Sequence, residues 1–485
     1  MSPYLVLALT LGYFALMFLI SYFSSRKTDN AGFFVGNRKN PWYIVAIATL
    51  GAGMSGVTFV SVPGMVAASG FAYLQMCLGF IVGQAVIAFV LLPLYYRLNL
   101  YSICGYLENR FGLTTYRTGA WFFFISKMLG ASVRIFLVSL TMQLLVFDPL
   151  GLPFILNVLM TVLLVWVYTF FGGVKSVIRT DLLKSIALVT SVVLCLVFIA
   201  RALHLNLAGL VQTVSESNMS RIFFFDDVND RRYFWKQFLA GAFTLIAMNG
   251  LDQDMMQRNL SCKSSGESTK NMLVSIVVQF FIIALFLALG VVLYLFAQKE
   301  GITLPQNPDQ VFPFLATSGV LPLAVGVFFI IGLVAASYSA AGSALTALTT
   351  SFTLDILRAG NKEERKLTRT RRGVHIAMAA VMGLCILFFE IFNSTSVIDT
   401  VYILSSYTYG PLLGMFAFGI FVHKKVRDKW VPLPALLAPV LCFILDKNST
   451  EWFGGYHFSY ELLMLNALFT FLGLLLLIKP TPQAK

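Results

Sequence analysis

Apolar runs of about 20 residues recur along the whole chain, and this recurrence constrains the fold more than any single motif. About 20 residues of α-helix cross the hydrocarbon core of a bilayer, whereas a barrel strand needs only about 10 and alternates in polarity. The runs therefore specify helices whose backbone groups are satisfied within each segment. Only 12% of the 485 residues are charged, against about 25% in a soluble domain. The expected fold is an all-α polytopic membrane protein, held in the lipid bilayer, with about 13 transmembrane helices.

Spans are expected at 4–24, 41–69, 73–100, 120–145, 153–171, 176–200, 238–250, 271–297, 331–357, 374–389, 397–421, 431–445 and 460–478. The net charge of +13 raises the question of nucleic acid, but the basic residues sit between spans and report topology instead. Arg26, Lys27, Arg38 and Lys39, then the run from Arg358 to Arg372, then Lys424 to Lys429, all fall on one side. The positive-inside rule puts that side in the cytoplasm, with the N-terminus outside and the C-terminus inside. No positive residue precedes the first span, so it reads as an uncleaved helix rather than a signal peptide. The six cysteines are scattered without CxxC, and no zinc spacing, P-loop, nucleophile elbow or catalytic triad is present. Neither an enzyme nor an ATP-driven pump is indicated, and no organic cofactor is implied.

Two spans are built to break. GAGMSG at 51–56 places three glycines and a serine mid-membrane, and Asn249-Gly250 interrupts the short span 238–250. A pair of interrupted helices in two halves of a chain points to an inverted-repeat transporter with a midplane binding site. A third span, 331–357, is nearly free of bulky side chains at its centre. Ser339, Ser343, Thr346 and Thr350 form one hydroxyl stripe on it at helical spacing. Such a stripe faces protein, water or an ion, or else its hydroxyls bond back to their own carbonyls. Lys127 and Arg134 lie inside the span 120–145. Lys127 reads as a residue snorkelling to the cytoplasmic end, while Arg134 lies deeper, where an unpaired cation is expensive and marks function.

Six stretches together resemble the sodium:solute symporter family: LGAGMSGVTFVSVPG at 50–64, YSICGYLENRFG at 101–112, GGVKSVIRTDLLK at 172–184, GLDQDMMQRNL at 250–260, AASYSAAGSALTALTTSFTLDIL at 335–357 and YGPLLGMFAFGIF at 409–421. That resemblance implies a LeuT-type five-plus-five inverted repeat. Residues 1–40 would be a leading helix and loop, 41–203 the first repeat, 204–235 an external loop, 236–424 the second repeat and 425–485 two C-terminal helices. It also implies a co-transported sodium ion held by the carbonyls of Gly51, Met54 and Ala336 and the hydroxyl of Ser339. A second sodium, where relatives hold one, would fall on Asp181, Ser339 and Ser343.

This chain departs from the family pattern twice, with Ala340 after Ser339 and with Lys184 three residues after Asp181. The i, i+3 spacing suggests that the Lys184 ammonium neutralises Asp181 in place of a second ion. Substrate contacts are expected from Ser55, Thr58, Tyr73, Arg134 and Asn249, and more loosely from Ser405 with Ser406 and Tyr407. The arginine implies an anionic small-molecule solute such as a sialic or other sugar acid, since guanidinium takes carboxylate bidentately. A neutral sugar or another carboxylate, an uncoupled carrier and a non-transporting sensor are the competing readings. The expected particle is a monomer in the plasma membrane, of bacterial inner-membrane type, with no nucleic-acid partner.

Overall fold

A computed structural model describes residues 1–25, 40–98, 103–170, 174–361, 363–392 and 397–479, and the side chains of a few positions within them, Ser339 included, lie outside that description. The described chain is predominantly helical. Its main elements are α1 (Pro3–Ser25), α2 (Trp42–Gly53), α3 (Gly56–Gly64), α4 (Tyr73–Arg97), α5 (Leu113–Phe147), α6 (Phe154–Phe170) and α7 (Val174–Ala202). There follow α8 (Phe234–Leu245), α9 (Gln253–Asn259), α10 (Ser265–Lys299), α11 (Pro308–Thr317), α12 (Leu323–Ile356), α13 (Glu364–Phe392), α14 (Val397–Phe421), α15 (Pro432–Lys447) and α16 (Leu462–Leu476). Among the described residues nine helices are long and apolar enough to cross a bilayer, or ten when the bent pair α2–α3 counts as one span. The expected spans 153–171 and 460–478 appear as the shorter apolar helices α6 and α16.

Both expected breaks are present, and they share one backbone conformation. After α2, Met54 leaves the helix at φ −101°, ψ 124°, and α3 restarts at an angle of 57°. After α8 the chain makes a π-helical turn, Ile246–Gly250, and Asp252 then adopts φ −103°, ψ 123° before α9. Each restart is capped. Ser55 and Thr58 form a capping box on α3, and the Asp252 carboxylate accepts from the amides of Asp254 and Met255 on α9, at 2.9 and 3.3 Å. A break followed by a cap satisfies the amides of the second half, so the chain can interrupt a buried helix at bearable cost.

Small residues bring the helices together. On α4 a Cβ at Gly79 or Gly83 would run into the α8 backbone at Phe238 and Ala242, and one at Gly241 would meet Met76. These glycines let α4 and α8 touch backbone to backbone, the packing that small residues permit where apolar burial offers no drive between helices. α12 packs against α7, and α14 packs against α16 and α5. The buried middle of α12 holds Ala335, Ala336, Ala341, Ala344 and Ala347. Part of its hydroxyl stripe serves the helix itself: Thr346 donates to the Gly342 carbonyl and Thr350 to that of Thr346, each at 2.9 Å.

Candidate functional site

The break between α2 and α3 opens onto a cavity of about 80 Å³. Ser55 and Thr58 line it from α3, Tyr73 and Phe80 from α4, Arg134 from α5, and Thr244 and Asn249 from α8 and its π turn. Gln279 on α10 and Tyr402 on α14 complete the polar wall. Five of the six expected substrate contacts, Ser55, Thr58, Tyr73, Arg134 and Asn249, are thus brought to one cavity by four different parts of the chain. Ser405 is not on its wall; it is buried in α14 and donates to the Val401 carbonyl at 2.7 Å. Arg134 is half-buried and has no hydrogen bond or ion pair among the described residues. It also borders a second, smaller cavity of about 30 Å³ together with Ser55, Gly56, Ser337 and Ser343.

Beyond that smaller cavity lies a buried charge network. Lys127 of α5 bonds Asp252 at 2.6 Å and lies 3.8 Å from Asp254. Arg258 of α9 binds Asp181 of α7, Asp254 at 3.1 Å and the Ser343 hydroxyl of α12 at 2.9 Å. Tyr409 completes the set, with its hydroxyl 3.4 Å from Asp252. Two sequence readings are corrected here. Lys127 does not snorkel to water, because the residue is 8% exposed and its ammonium is ion-paired inside the protein. The partner of Asp181 is Arg258 rather than Lys184, whose Nζ is buried without a hydrogen-bond partner among the described residues. A planar guanidinium entering from α9 reaches two carboxylates and a hydroxyl at once, which a single ammonium on the same helix as Asp181 cannot do.

The expected sodium ligands lie on elements that meet. Gly51 packs on α7, where an added Cβ would strike Ser185 Oγ and the Asp181 carbonyl, and Gly56 packs on Ser337 of α12. α2 stops at Gly53, so the carbonyls of its last turn, Gly51 included, lose their intrahelical partners. Ala336 is fully buried in α12. Ser339 belongs to the same helix, with its side chain outside the described residues.

Above the central cavity lies a wider one of about 600 Å³, lined by Asp230, Arg231, Arg232, Asp399, His457 and Tyr460 among others. Tyr73 and Ile398 line both. The roles of Asp252, Asp254, Arg258 and Tyr402 were not read from the sequence. The available signals were the acid directly after the Asn249-Gly250 break and the i, i+4 spacing of Asp254 and Arg258.

The geometry agrees with comparisons to known proteins. A family model described as "Sodium:solute symporter family" matches residues 33–428. The sodium/sialic acid symporter NanT of Aliivibrio fischeri is 26% identical over 451 residues, covering 90% of this chain and 86% of that protein. The human sodium/iodide cotransporter is 26% identical over 430 residues, covering 85% of this chain and 65% of that one. Among solved structures, the substrate-bound outward-open state of a Na⁺-coupled sialic acid symporter superposes with a TM-score of 0.81 at 20% identity, covering 99% of each chain. The broken helices, the fold and the matched stretch agree: this chain belongs to the sodium:solute symporter family.

Proposed function

We propose that the chain is a sodium-coupled symporter that imports a small anionic organic solute, a sugar acid such as sialic acid, by alternating access. The observation that carries this reading is Arg134, a guanidinium without an ion-pair partner among the described residues, on the wall of a cavity otherwise lined by hydroxyls, amides and apolar groups. A carboxylate there would give it a charge-assisted, bidentate partner. Ser55, Thr58, Asn249 and Tyr73 would take the hydroxyls of the solute. Likeness to carriers of sialic acid and of iodide, both anions, supports the same class.

Sodium is the co-transported ion in this reading. Its ligands would be the carbonyls of Gly51, Met54 and Ala336 and the hydroxyl of Ser339, since a hard cation takes oxygen and an interrupted helix offers free carbonyls. An ion so held would tie the first broken helix to α12. Sodium and solute would each raise the other's affinity by one common factor. The central cavity, about 80 Å³, is smaller than the 300–1,000 Å³ of ordinary ligand sites. Solute entry therefore requires the wall below the 600 Å³ vestibule to part. The repeats would run over 41–203 and 236–424, with the N-terminus outside and the particle a monomer.

The test is uptake of radiolabelled sialic acid into proteoliposomes holding the purified chain, with an inward sodium or potassium gradient. Sodium-dependent accumulation abolished by Arg134→Ala is expected. Equal uptake in both salts would make the protein an uncoupled carrier, and thermal stabilisation by neutral sugars alone would make Arg134 a structural residue.

A further inference from the structure

Lys184 is fully buried in α7, and its ammonium has no hydrogen-bond partner among the described residues. An ammonium in that position is expensive unless a negative charge compensates it. The charges that bear on it are Asp181, Arg258, Arg134 and Asp254. Together with Lys127 and Asp252 they form one group of four cations against three carboxylates, Lys127, Arg134, Lys184 and Arg258 against Asp181, Asp252 and Asp254. The carboxylates are largely committed to Arg258 and Lys127. One positive charge is in excess.

The location of this excess matters. Lys184 precedes Ser185, whose hydroxyl donates to the Ile47 carbonyl of α2 at 2.6 Å and abuts Gly51. The turn of α7 that carries Lys184, from Asp181 to Ser185, therefore packs against the last turn of α2, which supplies the carbonyls proposed for sodium. On the other side, the charge group borders Arg134 and the cavities. A cation arriving at an empty site meets a net positive field, while an anion arriving there meets a compensating one. Charges separated by about 10 Å at an effective dielectric of about 20 still interact appreciably.

We infer that Lys184 makes sodium binding conditional on the anionic solute: its uncompensated charge repels sodium from the empty site, and the carboxylate held by Arg134 relieves that repulsion. Lys184 is a positioning residue for coupling and touches neither cargo. The inference rests on the symporter reading above and adds the source of its coupling.

The experiment is a sodium titration of the thermal stability of the purified full-length chain, with choline as the replacement cation, with and without sialic acid. Wild type, Lys184→Gln and Lys184→Arg are compared. In Lys184→Gln, sodium affinity without solute should rise on the order of tenfold, about 1.4 kcal/mol. The factor by which sialic acid tightens sodium should fall by the same amount. Lys184→Arg keeps the charge and should follow the wild type. A merely structural lysine would lose sodium affinity when replaced, not gain it. Unchanged or weaker sodium binding in Lys184→Gln overturns the inference, as does a Lys184→Arg variant that behaves like Lys184→Gln. Should Lys184→Gln not fold, the wild type decides: sodium affinity that is equal with and without sialic acid overturns it. Sodium-dependent uptake with an unchanged Lys184→Gln sinks this inference alone, whereas sodium-independent uptake by the wild type sinks the symporter reading with it.

Discussion

Tyr73 of α4 and Tyr402 of α14 meet hydroxyl to hydroxyl at 2.7 Å. The pair stands between the central cavity and the vestibule, and Tyr460 backs it with its ring 4.9 Å from that of Tyr402. Two helices far apart in sequence are thus joined by one hydrogen bond across the proposed entry route. Tyr73→Phe and Tyr402→Phe should each speed solute dissociation about two- to tenfold, the equivalent of a hydrogen bond worth about 0.5–1.5 kcal/mol. The double variant should be no faster than either single one, because both remove the same bond. Stopped-flow dissociation of bound sialic acid measures this, and additive effects would mean that the hydroxyls act separately.

Arg134 is expected to dominate solute affinity. Removing one member of a buried charge pair costs about 2–5 kcal/mol, so Arg134→Ala should weaken sialic acid at least about 30-fold. Arg134→Lys should recover only part of this, since the ammonium keeps the charge and loses the fork. Isothermal titration in saturating sodium gives the three affinities, and a Lys variant equal to wild type would argue for a point charge.

Arg258 holds α9, α7 and α12 together through Asp254, Asp181 and Ser343. Deleting it leaves buried carboxylates uncompensated, so Arg258→Met should destabilise the protein by about 3–5 kcal/mol. Adding Asp181→Asn to Arg258→Met should return part of the loss, because the buried charge and its missing partner then go together. Thermal unfolding in detergent, compared across the single and double variants, checks the sign of that coupling.

Gly51 has no room for a methyl group, with Ser185 Oγ and the Asp181 carbonyl already against it. Gly51→Ala should push α2 away from α7 at about 1–3 kcal/mol, the usual range for overpacking. If the Gly51 carbonyl binds sodium, sodium affinity should fall more than solute affinity measured in saturating sodium. An equal loss of both would point to general damage.

In the vestibule, the Arg232 guanidinium bonds Asp230 at 2.8 Å and holds its carboxyl below the usual carboxylate range. The sign follows from the depressed value. The pair stabilises the fold fully above the unfolded carboxyl pKa of about 3.9 and less as pH falls through the lower folded value. Asp230 is largely solvated, so its whole contribution stays under about 1 kcal/mol. Asp230→Asn should flatten the acid limb of the stability profile between about pH 4 and 2 and lower stability at pH 7 by the same small amount, under about 1 kcal/mol.

The sequence announced what local chemistry decides. GAGMSG and Asn249-Gly250 marked the breaks because glycine and asparagine weaken a helix wherever they fall. Arg134 stood out because a cation deep in an apolar run needs a reason. Partner choice was not legible. Asp181 and Lys184 share a helix face, yet Asp181 pairs with a residue 77 positions away, since a packed bundle brings a better-shaped cation from another helix. The hydroxyl stripe of α12 was equally ambiguous. Thr346 and Thr350 bond their own backbone while Ser343 meets Arg258, and spacing alone cannot separate those outcomes. Ser405 shows the same local preference on α14.

The matched breaks at Met54 and Asp252 differ in what stops them. The second half-helix is closed by a carboxylate that also holds Lys127, so its amide end is neutralised by the protein's own charge. The first is closed by the neutral hydroxyls of Ser55 and Thr58, leaving the partial positive charge of its amide end uncompensated. The two halves of the molecule therefore share a shape but not an occupation. One break is braced by an internal ion pair, and the other keeps the dipole of its amide end free beside the cavity, so two breaks of one conformation present different ends to the interior.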